Sequence, residues 1–234
     1  MKCLAAVIAT ATVTFAAPSL AQAATLVADP ELPCYPEGFQ VFLPGEGFTP
    51  GAQVNFTRDG QLLPADPPIL ADHAGAISAN LTLPELLKGQ DTLDYVATDA
   101  ANPANTAALS LLVTATDINL DPEQGAPERL LTIRARGFFG GGKRLWAHVK
   151  RKGGRRSRNV KVGRIKGPCK KVKAKKRLFP AGAASGKYRV QFDAFKRYKN
   201  KRAFKSTFNV TIFRTLRPAT AASAASVPSW SWTR

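Results

Sequence analysis

Short runs in which apolar and polar side chains strictly alternate, each ended by glycine, proline or aspartate, restrict this chain to β structure. In Lys187-Tyr-Arg-Val-Gln-Phe-Asp-Ala194, the residues Tyr188, Val190, Phe192 and Ala194 alternate with Lys187, Arg189, Gln191 and Asp193. Successive side chains of a strand point to opposite faces, so a period of two makes one face apolar and the other solvated. The stretches 131–135, 145–149 and 204–212 repeat the pattern, punctuated by glycines at 137, 140–142, 153, 154 and 167. The run at 140–142 precedes Lys143 but lacks the arrangement of a phosphate-binding loop, and it is expected to form a hairpin.

The first half follows the same logic with different turn chemistry. Strands are expected at 25–28, 39–43, 53–57, 77–83, 92–98 and 107–116, with one helical turn at 84–88. Pro50-Gly51, Asp59-Gly60, Asp72-His-Ala-Gly75 and Asn102-Pro103 separate them. Proline fixes φ, glycine supplies positive φ, and Asn or Asp side chains bond their own backbone. Many short strands at regular spacing imply a sandwich.

The N-terminus has the layout of an export signal. Lys2 is followed by an apolar stretch at 4–15, then Pro18, then Ala21-Gln22-Ala23 as a small-x-small cleavage site. The stretch is too short for a span of ~20 residues, so a secreted protein without a transmembrane segment is expected. The expected organisation is a signal peptide at 1–23, sandwich domains at 24–118 and 119–215, and a disordered tail at 216–234 rich in Ala, Ser, Thr and Pro. Leu216-Arg-Pro-Ala-Thr220 faintly resembles a sortase signal, but covalent wall anchoring is not expected, because no apolar span follows. Once Cys3 leaves with the signal, export permits a disulfide between Cys34 and Cys169; two free thiols or intermolecular pairing are the alternatives.

Charge divides at the same boundary. Residues 24–118 hold twelve acids against Arg58 and Lys88, a net −10. Residues 119–234 hold 31 bases against Asp121, Glu123, Glu128 and Asp193, a net +27. Such an asymmetry bears on partners rather than on fold.

Two resemblances follow from motifs. Gly45-Glu-Gly-Phe48-Thr-Pro50-Gly51-Ala-Gln-Val54, then Asp59-Gly60, then Ala71-Asp72-His-Ala-Gly75, resembles the core of bacterial extracellular immunoglobulin-like domains. The resemblance implies two tandem immunoglobulin-like β-sandwich domains, an all-β chain, and says little of function. The second half is similar to an uncharacterised basic β-domain of secreted actinobacterial proteins. The matching residues are Arg136-Gly-Phe138, Leu145-Trp-Ala-His148, Gly167-Pro-Cys169, Gly186-Lys-Tyr188 and Gln191-Phe-Asp193.

Catalytic motifs are lacking. Cys169 and His148 could be imagined as a nucleophile pair, but a structural cysteine and a strand histidine are the stronger reading. The acids of the first half are scattered through turns, and no metal-ligand spacing occurs. A non-enzymatic protein with no catalytic residue, no metal and no cofactor is therefore expected.

Three basic clusters remain. The first is Lys150, Arg151, Lys152, Arg155, Arg156 and Arg158. The second is Lys170, Lys171, Lys173, Lys175, Lys176 and Arg177. The third is Lys196, Arg197, Lys199, Lys201 and Arg202, with Lys205. If the second is a strand, Lys171, Lys173 and Lys175 share one face at a spacing of ~7 Å, a comb suited to a polyanion. Counter-ion release would then drive binding. The expected partner is an anionic cell-envelope polymer, either teichoic acid or acidic polysaccharide. Extracellular DNA, with Phe195, Tyr198 and Phe204 stacking on bases, is the alternative, as is an acidic domain that binds a protein. The expected location is extracellular, with non-covalent association with the cell wall.

Overall fold

The computed structural model describes residues 23–154, 157–180, 182–215 and 227–233. Residues 1–22, where the export signal is expected, Arg155, Arg156 and the stretch 216–226 lie outside the described residues. Every element described is a strand, and the strands form two sandwiches with separate cores.

In the first, β1 (Thr25–Leu26), β3 (Gln40–Glu46) and β6 (Ile77–Thr82) make one sheet. The facing sheet has the order β2 (Tyr35–Pro36), β8 (Thr106–Thr114), β7 (Gln90–Asp99), β4 (Val54–Arg58), β5 (Gln61–Leu63). Among the described strands only β2 and β8 run parallel. The chain crosses between the sheets from β3 to β4, from β5 to β6 and from β6 to β7, an immunoglobulin-type Greek key. Alternation does what it should: Val41 and Leu43 of β3 face Leu93, Tyr95 and Ala97 of β7 and Leu111 and Val113 of β8 across the core. The Asp72–Gly75 turn is closed by Asp72, whose Oδ1 accepts from the N–H groups of Ala74 (2.8 Å) and Ala76 (2.9 Å). Gly75 has φ of 78°, and a Cβ there would lie 2.3 Å from the Phe48 carbonyl oxygen, so only glycine closes this turn.

The second sandwich repeats the plan. One sheet joins β9 (Asp117–Asp121), β11 (Leu131–Arg136) and β14 (Val172–Lys176). The other has the order β10 (Gln124–Gly125), β17 (Val227–Thr233), β16 (Ser206–Thr215), β15 (Gly186–Asp193), β12 (Arg144–Arg151), β13 (Ser157–Arg164). Because β9 pairs with β11, the second domain begins at Asp117, two residues ahead of the expected boundary.

Several expectations are corrected. Residues 216–226 of the expected tail lie outside the described residues, and 227–233 forms β17, antiparallel to β16 from Asn209↔Thr233 to Thr215↔Val227. Its other edge holds β10, so it lies where the first domain pairs β2 directly with β8. Backbone pairing against a long neighbour joins the strand preference of Val227, Trp230, Trp232 and Thr233 to outweigh Pro228. Residues 84–88 form no helix: the Leu86 N–H is taken by Glu37 Oε2 at 3.1 Å. The 140–142 glycines are not a hairpin, since β11 and β12 belong to opposite sheets and the segment crosses between them.

The domains meet at a tight junction. Cys34 and Cys169 form a disulfide, with Cα atoms 5.3 Å apart and both residues buried. Thr116 donates its N–H to Glu37 Oε1 at 2.7 Å and its hydroxyl to the Gly137 carbonyl at 3.2 Å; Gly137 donates its N–H to the Cys169 carbonyl at 3.0 Å. Gly137 has φ of 76°, and a Cβ there would come within 2.2 Å of the Ala115 carbonyl oxygen.

Candidate polyanion-binding surface

The three clusters do not form one face. Lys171, Lys173 and Lys175 stand exposed on or beside β14, while Val172 and Ala174 pack inward against the core. The comb therefore exists, and Arg134 of β11 lies opposite Lys173 in the ladder. Arg177 follows it exposed, and Lys170 and Lys176 are half-buried. All of these belong to the sheet of β9, β11 and β14.

The first and third clusters belong to the opposite sheet. Lys150 and Arg151 end β12, Lys152 opens the turn to β13, and Arg158 lies on β13. Lys196, Arg197, Lys199, Lys201, Arg202 and Lys205 lie on the segment between β15 and β16, which folds back over the outer face of β12 and β15. Packing holds that segment in place. The Arg202 guanidinium lies 3.9 Å over the Phe195 ring, Phe204 packs on Phe139 with centroids 5.8 Å apart, and Lys205 Nζ donates to the Asn200 carbonyl. Tyr198 packs edge-on against His148 at 5.8 Å, and Lys150 Nζ lies 5.7 Å from the Tyr198 ring centre.

Beneath the segment is a polar network that the alternation pattern assigns to the solvated face. His148, Gln191 and Asp193 all project from the outer side of the sheet and are all fully buried. His148 Nε2 lies 3.2 Å from Asp193 Oδ1, and Nδ1 lies 2.7 Å from Asn159 Oδ1. Gln191 Nε2 donates to Asp193 Oδ2 (2.7 Å) and to the Lys199 carbonyl (2.9 Å), and the Phe195 N–H donates to Asp193 Oδ1 (2.9 Å). Burial works against the imidazolium, but hydrogen bonds to Asp193 and Asn159 and the charge of Asp193 outweigh it, so the His148 pKa is raised. Burial likewise works against the Asp193 carboxylate. Hydrogen bonds from His148, Gln191 and Phe195, with the histidine charge, overcome it and lower its pKa. The pair is an internal ion pair that anchors a surface segment.

Neither member approaches Cys169, which is committed to its disulfide, so the imagined nucleophile pair does not assemble. In the first domain the buried Asp99 carboxylate accepts from the N–H groups of Thr49 (2.7 Å), Ala101 (2.8 Å) and Asn102 (3.2 Å). Burial there is outweighed by these bonds and one from the Thr49 side chain, which hold the pKa at about 2. Asp99, like Asp72, organises a turn. No group of three or more His, Cys, Asp or Glu residues suited to a metal occurs among the described residues.

The cations that sequence runs did not single out are Lys187 and Arg189, whose alternation was read as an ordinary solvated face. In the ladders Lys150 lies directly opposite Arg189, which lies opposite Asn209. Beside that row the Lys152 N–H donates to the Lys187 carbonyl at 2.8 Å, and Lys187 lies opposite Thr211. These residues, with Arg151, Tyr188 and Tyr198, line an open groove of about 570 Å³. No Asp or Glu lines it.

No family model matches this chain, and no curated protein matches its sequence. Among solved structures, a membrane-anchored protein from Corynebacterium diphtheriae is similar at 14% identity over 74% of this chain and 54% of its own, with a TM-score of 0.35. The chain thus spans about half the length of that protein. Dimeric latent PorU from Porphyromonas gingivalis shares 16% identity over 85% of this chain and 20% of its own, with a TM-score of 0.29. The human OSCAR ligand-binding domain shares 16% over 74% and 90%, with a TM-score of 0.28.

Proposed function

We propose that this is a secreted, non-enzymatic protein whose basic sandwich attaches it electrostatically to an anionic polymer of the cell envelope. The observation that carries the reading is uncompensated charge. Lys150, Arg151, Lys152, Lys187 and Arg189 on one sheet, and Lys171, Lys173 and Lys175 on the other, have no Asp or Glu partner within 4.0 Å among the described residues. The one carboxylate on the outer face of the sheet of β12 and β15, Asp193, is already used by His148. Such cations repel one another, and a polymer that neutralises them releases its own counter-ions, so association gains free energy in proportion to the charges engaged. Export is supported by the layout of residues 1–23 and by a buried disulfide, a bond that persists in oxidising compartments.

The test is retention of the full chain on immobilised teichoic acid, heparin and DNA along a salt gradient, beside a control protein of equal net charge. Retention beyond the control, with log affinity falling linearly against log salt, supports attachment. Elution together with the control on all three matrices overturns it.

A further inference from the structure

We infer that the groove across β12, β15 and β16 is a subsite for the sugar units of an anionic polysaccharide. The inference rests on the attachment reading and narrows it to one place and one ligand chemistry. Three hydrogen-bonded strands lie side by side here, ~4.8 Å apart, and alternate residues along each are ~7 Å apart. They set out a small grid. One row is Lys150, Arg189 and Asn209; the next is Lys152, Lys187 and Thr211.

Two features of the grid point to a ligand. Like charges directly opposite each other in a ladder are destabilising, and both rows place two cations side by side. The sheet tolerates this without a nearby carboxylate, so the arrangement suits an external anion better than the folded state alone. The second feature is the neutral third column. Asn209 is exposed and Thr211 half-exposed, and both offer donors and acceptors to hydroxyl groups beside the cations. Acid groups on two columns and hydroxyls on the third match a chain of acidic sugars. The volume of about 570 Å³ falls in the range of ligand sites.

The walls are fixed in advance. Tyr188 donates its hydroxyl to the Ala184 carbonyl at 2.7 Å and packs edge-on against Phe179, with centroids 5.3 Å apart. Tyr198 is held between His148 and Lys150. Prior ordering lowers the entropy cost of binding. It also disfavours a nucleic acid, because bases need an open ring to stack on, whereas the Tyr198 ring already packs against His148 and has Lys150 Nζ over it.

Calorimetric titration of the full chain with oligogalacturonate, inorganic polyphosphate and a single-stranded oligonucleotide tests the assignment. Replacing Lys187 and Arg189 by glutamine is expected to weaken oligogalacturonate binding about tenfold or more, from two lost charge-assisted contacts. Replacing Lys173 and Lys175 by glutamine, an equal change in charge on the other sheet, should weaken it less than about threefold. An Asn209→Leu, Thr211→Val double variant should lose about fivefold for oligogalacturonate, while polyphosphate, which has no hydroxyl pattern to read, changes little. Equal losses from the two charge variants would sink the groove and leave general attachment standing. Tighter binding of the oligonucleotide than of oligogalacturonate at equal salt would replace the sugar ligand with a nucleic acid. No binding of any probe by the unaltered chain would remove the attachment reading itself.

Discussion

Replacing His148 by glutamine tests how the basic surface is held. His148 and Asp193 are both fully buried, and the two ring nitrogens both face oxygen acceptors, Asn159 Oδ1 and Asp193 Oδ1. A neutral imidazole can donate from only one nitrogen, so the imidazolium is the form that satisfies both. Removing one partner of a buried pair costs about 3–5 kcal/mol, because it strands the other charge. Asp193 would keep Gln191 and the Phe195 N–H, so the low end, about 3 kcal/mol, is expected near pH 6. The pH dependence follows from the direction of each shift. The folded pKa of His148 is raised above 6.5, so its contribution is complete below 6.5 and is lost as pH rises through the folded value. Asp193 is lowered from 3.8, so its contribution is present above 3.8 and is lost as pH falls through its folded value. The gap between the parent chain and His148→Gln should therefore be largest near pH 6 and shrink as pH rises through the folded His148 pKa. All three tryptophans (Trp146, Trp230 and Trp232) lie in the second domain, so guanidinium unfolding followed by their fluorescence reports this domain alone. A gap that widens as pH rises from 6, or lies below about 0.5 kcal/mol at pH 6, would refute a charged histidine.

Three further outcomes are expected. Deleting residues 227–233 strips β16 of its seven-residue partner and should lower the unfolding midpoint of the second domain while leaving the first unchanged, read by hydrogen exchange on each. Replacing Cys34 and Cys169 by serine removes a cross-link across 135 residues, worth up to about 5 kcal/mol in the chain-entropy model; both cores should persist, with faster proteolysis near Thr116. Asp99→Asn should destabilise the first domain above pH 4. The Asp99 pKa of about 2 lies below its ordinary 3.8, so the parent loses this contribution only as pH falls from about 4 towards 2, and the variant should show no such acid limb.

Alternation in the sequence located the long strands well, because their pattern is local. β3 buries every second residue and β7 does so from Leu93 on, while β12 and β15 keep alternating apolar residues on the core side, and each falls within a few residues of its expected position. Elements held by distant partners were hidden. β2 and β10 are two residues long and exist only because β8 and β17 lie beside them. β13 carries three cations in eight residues, and β17 ends a stretch rich in Ala, Ser, Thr and Pro, so neither announced a strand. The basic runs stood out in the sequence, but which sheet each joins depends on crossovers between β11, β12 and β14, so their division onto opposite sheets did not. The His148–Asp193 pair spans 45 residues and sits on a face that the pattern gave to solvent. The 195–205 segment covers that face, a tertiary fact with no local signature.

The opposed charges of the two domains make more sense once the ends of the second sandwich are told apart. Its junction end holds Gly137 and Cys169, and Phe138, Gly142, Lys143 and Gly167 gather in one hollow there. The groove lies at the other end of β12, around Lys150, Arg151 and Lys152. Eight residues of strand at ~3.3 Å each separate those ends by ~25 Å. Screening at physiological salt acts over ~8 Å, so the acidic domain, fixed beyond the junction by the disulfide, cannot neutralise the groove cations from within its own chain. On the proposed reading the two charges act in turn on one ligand. An anionic polymer attracts the groove end and repels the acidic domain, so the chain meets it in one orientation, with the first sandwich held outward. Reversing charge on the first domain, by Asp59→Lys and Asp94→Lys in its exposed β4–β5 turn and β7, should then raise total retention on the polymer while making it less sensitive to the groove variants. Unchanged sensitivity would show that the first domain has no part in orienting the chain.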